Sequence, residues 1–114
     1  MSGSTSMSVF TPVCRYEDLL PERGAAALLG ARQVALFRTF DGTVHAVDNR
    51  DPFTGAFVLS RGIVGTRGDR PTLASPLHKQ VFDLSTGACL DDPAVRVPVY
   101  PARIRDGLVE VAAG

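Results

Sequence analysis

The chain has 114 residues, with 12 basic and 12 acidic side chains and a formal net charge of zero. That length allows one domain to bury a core without disulfide or metal staples. The charge balance argues against a surface built for nucleic acid or anionic lipid, so neither partner is expected. Hydrophobic residues make up 45% and charged residues 21%, the balance of an ordinary globular domain. No apolar run reaches the roughly 18 residues of a membrane helix, and no basic segment leads into an apolar run as in a secretory signal. The expectation is a cytoplasmic protein, with Cys14 and Cys89 as free thiols.

Residues 1–7 are small and polar and are expected to form a disordered tail, leaving 8–114 as one domain. Val9 to Cys14 reads as a strand, at an edge because of Pro12. Tyr16 to Leu20 is compatible with one helical turn before Pro21. Ala25 to Leu29 is a short strand, and Arg32 to Thr39 a strand apolar enough to be buried on both faces. Asp41-Gly42 is a two-residue hairpin signal with Val44 to Val47 as the return strand. Asp48 to about Ile63 is irregular. Gly68-Asp69 joins Ile63–Thr66 to Pro71–Ala74, Ser85-Thr86-Gly87 joins Gln80–Leu84 to Ala88–Leu90, and Asp106-Gly107 joins Val97–Arg105 to Leu108–Ala112. Closely spaced hairpins without an amphipathic helix predict an all-β sandwich or barrel, with function on its loops.

The two longest loops carry the informative motifs. The first runs Ala46-Val47-Asp48-Asn49-Arg50-Asp51-Pro52-Phe53. The second runs Ser75-Pro76-Leu77-His78-Lys79, then Gln80-Val81-Phe82-Asp83-Leu84 and Thr86-Gly87. With the closing hairpin from Tyr100-Pro101 to Val109, this pattern resembles the Rieske-like iron–sulfur family from about Val9 to Val111. That family places Cys-x-His in the first loop and Cys-x-x-His in the second. The resemblance implies a Rieske-like antiparallel fold built from hairpins, with both loops at one tip.

The four positions that the resemblance marks as ligands are Asp51, Phe53, Ser75 and His78. A Rieske cluster takes two thiolates on one iron and two imidazoles on the other. Carboxylate and hydroxyl oxygens are hard donors, poorly matched to sulfide-bridged iron. The expectation is therefore no cluster and no cofactor in this chain. A mononuclear metal on Asp51 and His78 is disfavoured, since catalytic zinc takes three protein ligands. One branch of the family lacks these ligands: the small subunits of assimilatory NAD(P)H-dependent nitrite reductase. The chain resembles that branch, including its segment Gly55 to Gly65. The resemblance implies a non-redox subunit whose partner large subunit carries FAD, a [4Fe-4S] cluster and siroheme and reduces nitrite to ammonium. The alternatives are an electron carrier with unusual ligands, or a stand-alone binding module of another oxidoreductase.

Asp51 and Ser75 are common turn residues, and the reading adopted is that they satisfy backbone groups; a hydrogen-bonded or proton-handling cluster with His78 is the alternative. A Ser75/His78/Asp83 triad lacks the Gly-x-Ser-x-Gly elbow. His45, between Val44 and Ala46, reads as half-exposed scaffold. Phe53 is expected to pack where a cluster would sit, with docking as its alternative, and Phe57 to be partly exposed. Arg50, Arg61, Arg67 and Arg70 fall in or near the same loops. With Phe53, Phe57 and His78, the first three complete a set of docking candidates. Gly62 to Gly68 precedes no helix, so nucleotide binding is not expected.

Overall fold

A computed structural model describes residues 9–77 and 79–112. The expected tail at 1–7 and His78 lie outside the described residues. The strands are β1 (Thr11–Arg15), β2 (Gly24–Leu29), β3 (Arg32–Arg38), β4 (Val44–Asp48), β5 (Ile63–Arg67), β6 (Arg70–Ala74), β7 (Val81–Asp83), β8 (Val99–Tyr100), β9 (Ala102–Arg105) and β10 (Leu108–Val111). Single 3-10 turns occupy Tyr16–Asp18 and Leu59–Arg61. All strand pairings are antiparallel, in three sheets ordered β2-β3-β4-β8, β5-β6-β7 and β1-β10-β9.

Successive residues of a strand point to opposite faces, and β3 uses both. Val34, Ala35, Leu36 and Phe37 are all buried. Val34 and Leu36 join Leu19, Ala46, Tyr100, Val109 and Val111 in one apolar cluster. Ala35 and Phe37 join Val47, Leu59, Leu73, Phe82, Leu84, Cys89 and Val97 in another. The sheet holding β3 and β4 is thus the wall between two cores, and each fully buried Val, Leu or Phe contributes about 1.5–3 kcal/mol. Cys14 is half-buried and Cys89 buried, both as free thiols.

Turn chemistry accounts for most of the connections. Arg105 pairs with Leu108 around Asp106 and Gly107, whose φ angles of 53° and 77° suit a tight two-residue hairpin. The β3–β4 connection is longer than the two residues expected. Phe40, Asp41 and Gly42 form a three-residue loop closed by Thr39 N–H to Thr43 O and Gly42 N–H to Thr39 O, with Gly42 at φ 87°. Pro12 does sit at an edge, since among the described residues β1 pairs only with β10, and its register shifts between Pro12 and Cys14.

Two strands differ from expectation. Val97–Arg105 is not continuous: β8 pairs with β4, and β9 pairs with β10 in another sheet. The chain changes sheets at Pro101, which has no N–H to give a ladder and whose carbonyl accepts Ala112 N–H. Ala88–Leu90 makes isolated bridges, Phe82 with Cys89 and Ala88 with Arg96. There Asp83 Oδ1 accepts the Ser85 N–H at 2.8 Å, turning the chain out of the β7 ladder.

Gly87 combines φ 80° with a backbone packed so tightly that a Cβ would overlap the Val97 carbonyl. Gly107 has φ 77° but open space around its Cα. Gly87→Ala is expected to lower unfolding stability by at least about 2 kcal/mol, and Gly107→Asn by less than about 1 kcal/mol, in urea melts.

Candidate functional site

β4 and β6 belong to different sheets, and the loops that follow them meet. The first loop is shaped by its own short-range bonds. Asp51 N–H donates to Ala56 O at 2.8 Å, Gly55 N–H donates to Asp51 O at 2.7 Å, and Arg50 bridges Phe57. Buried Asn49 anchors it: Oδ1 accepts Ser60 N–H at 2.7 Å and Nδ2 donates to Gln33 Oε1 at 3.2 Å. In the second loop, Ser75 N–H donates to Gln80 O and Lys79 N–H to Ser75 O, with Lys79 at φ 61°.

Between them, among the described residues, lies one polar contact. Ser75 Oγ donates to Asp51 Oδ2 at 2.6 Å, and Asp51 Oδ1 accepts Phe53 N–H at 2.8 Å. Asp51 is 0% exposed and Ser75 1%. A distance of 2.6 Å lies in the range of hydroxyl-to-carboxylate bonds, which are about twice as strong as neutral ones. Ser75 Oγ also faces the Leu77 N–H at 3.4 Å. The expected turn role of Asp51 and Ser75 is present, and a direct link between the loops is added to it.

Outside this contact the loops present apolar side chains. Phe53 leans on buried Phe82, ring centroids 6.1 Å apart at 50°, yet remains 37% exposed. Phe57 and Leu77 are exposed on the two loops, as are Pro52 and Pro76. The sequence carries no signal for Leu77 beyond an apolar residue inside the Ser-Pro-Leu turn. Arg50 is exposed, with its guanidinium beside Gly55, and Arg61 is exposed at the end of its 3-10 turn.

The structure does not bring every candidate to this tip. Ile63 pairs with Ala74 at the tip end of the β5–β6 hairpin, whereas Arg67 pairs with Arg70 at its other end. Four residues of strand put Arg67 about 13 Å from the tip end, so Arg67 leaves the docking set. Arg70 lies 3.5 Å from buried Asp83. Two members of the Ser75/His78/Asp83 triad are held by other partners. The Ser75 hydroxyl is committed to Asp51, and Asp83 to Ser85 N–H and Arg70.

The fold family implies a two-iron cluster at these loops, and the residues do not fit it. Where two thiolates would grip one iron, a carboxylate and a hydroxyl are hydrogen-bonded to each other. An aromatic ring occupies a third ligand position. Cys14 lies on β1 and Cys89 in the core. Among the described residues, no group of three or more His, Cys, Asp or Glu is placed to hold a metal ion.

The Rieske-like [2Fe-2S] domain family matches residues 9–112. The chain belongs to that family. Its similarity is strong to nitrite reductase small subunits. It is 44% identical over 106 residues to the nitrite reductase (NADH) small subunit of Escherichia coli K12, covering 92% of this chain and 98% of that one. A crystal structure described as an NADH-dependent nitrite reductase small subunit from Mycobacterium tuberculosis has 55% identity and a TM-score of 0.92, covering 96% and 98% of the two chains. The Klebsiella oxytoca nitrite reductase [NAD(P)H] large subunit is 39% identical over 99 residues, 87% of this chain but 10% of that protein.

His45 lies half-buried on β4 opposite Phe37. Burial pushes its imidazole below the ordinary 6.5, against the opposing pull of Asp41, Asp83 and the Leu84 backbone. The folded state therefore binds a proton less readily than the unfolded chain. The stability tied to neutral His45 is complete above 6.5 and is lost as pH falls from there through the lower folded value. Urea midpoints of the wild type are expected to fall between pH 7 and 5 more steeply than those of His45→Gln; parallel curves would contradict this.

Proposed function

We propose that the chain is the small subunit of a cytoplasmic NAD(P)H-dependent nitrite reductase, that it holds no cluster of its own, and that it docks through the loop tip on the large subunit that reduces nitrite to ammonium. The Asp51–Ser75 hydrogen bond carries the cluster-free part of this reading, since it commits two of the four ligand positions to each other. Full-length similarity to nitrite reductase small subunits supports the assignment. The partner is supported by the Klebsiella large subunit, where a counterpart of this domain lies within the large-subunit chain itself. A domain joined covalently in one protein and separate in another is suited to working against the same chain. FAD, a [4Fe-4S] cluster and siroheme then belong to that large chain, and this subunit supplies contact, domain ordering or control of turnover.

The surface fits such a role. Phe53, Phe57 and Leu77 offer three large apolar side chains, with Arg50 and Arg61 beside the first loop. Aromatic and Arg side chains are enriched among residues that dominate binding energy. The matching surface would be an apolar recess with acidic residues at its edge. Among the described residues no helix is long and apolar enough to cross a membrane.

Two measurements test the reading. The purified chain is expected to carry no stoichiometric iron and no Rieske-type EPR signal; two irons per chain with that signal would establish the electron-carrier alternative. Co-expression with the large subunit is expected to give a complex and to alter nitrite turnover. Phe53→Ala with Phe57→Ala should weaken the complex about tenfold or more. Failure to form any complex would contradict the assignment.

A further inference from the structure

Among the described residues, one hydrogen bond joins the loop 49–57 to the loop 75–80: Ser75 Oγ to Asp51 Oδ2. The other bonds of the first loop stay within it or run to β3, β4 and the 3-10 turn that follows. Those of the second, among its described residues, stay within it. The two loops leave different sheets, so neither ladder fixes one against the other. The joining bond is fully buried, and the same carboxylate holds the Phe53 N–H. One side chain therefore both joins the two loops and holds the backbone of the residue that presents an aromatic ring.

We propose that the Asp51–Ser75 hydrogen bond is a metal-free clasp, a positioning element that locks the two loops so that Phe53, Phe57 and Leu77 meet the large subunit as one preformed patch. This rests on the docking reading above. The clasp does the cross-linking that the missing ligand set cannot, and it acts before binding. Loops already fixed in their bound arrangement lose less conformational freedom on association, and the gain shows mainly as slower dissociation. Neither Asp51 nor Ser75 is exposed, so any effect of changing them on the complex must pass through the loops they hold.

The test pairs amide hydrogen exchange on the full chain with affinity for the large subunit. Ser75→Ala is expected to speed exchange of the Phe53 and Gly55 amides by about tenfold or more while core amides such as Val47, Leu73 and Val109 change by less than about twofold. It should weaken the complex about tenfold through faster dissociation. Ser75→Thr, which keeps a hydroxyl, should restore both. Should Ser75→Ala not fold, Ser75→Cys serves: it nearly keeps the side-chain volume but offers only a weak S–H donor, and the same loop amides should exchange several-fold faster with the complex weakened in step. Unchanged loop exchange in the folded variant would overturn the clasp. Faster loop exchange with unchanged affinity would also overturn it, while leaving docking intact. Unchanged affinity in Phe53→Ala with Phe57→Ala, clasp in place, would instead remove the docking reading and this inference with it.

Discussion

A buried carboxylate is tolerated only when donors meet both of its oxygens, because leaving one unpaired costs more than the bond itself contributes. Asp51 is in that position. One oxygen takes the Phe53 N–H and the other the Ser75 hydroxyl, and the rest of the tip follows from satisfying both. The first loop must curl so that Phe53 returns to its own turn, and the second must come within 2.6 Å across the gap between sheets. Hydrogen bonds to charged groups are worth about 1.5–3 kcal/mol, comparable to burying one large apolar side chain.

The rest of the fold makes that meeting possible. β3 and β4 form a wall with one apolar cluster on each face. Phe37 and Val47 on one side pack into the same cluster as Leu73 and Phe82 from the β5-β6-β7 sheet. That shared cluster sets how the ends of β4 and β6 approach. Asn49 then ties the start of the first loop to Gln33 of β3 and to Ser60. Pro101 lets the chain leave β8, beside β4, and complete the separate β1-β10-β9 sheet over the other cluster. The domain thus offers the tip as two loops on a rigid base.

Much of this was legible in the sequence. Strong local signals survive tertiary context: Asp106-Gly107 turns because both residues take positive φ, and four consecutive apolar residues in Arg32–Arg38 announce a strand buried on both faces. The motif prolines and Phe82-Asp83-Leu84 located the tip. What was hidden depends on distant partners. Nothing local to Val97–Arg105 says that its two halves pair with different sheets. The direct bond between residues 24 apart could be framed only as a possibility, because turn chemistry explains Asp and Ser equally well. Arg67 looked close to the loops along the chain, but the register of β5 and β6 carries it to the far end of the hairpin. Leu77 is exposed by its turn, which composition does not encode.

A clasp requires that Asp51 and Ser75 act as one unit. A double-mutant cycle on unfolding stability measures that directly, with Asp51→Ala, Ser75→Ala and the double variant compared in urea melts. The two changes are expected not to be additive, with a coupling of at least about 1.5 kcal/mol. Additivity to within about 0.5 kcal/mol would mean that the two side chains stabilise the tip independently, and the clasp would be contradicted.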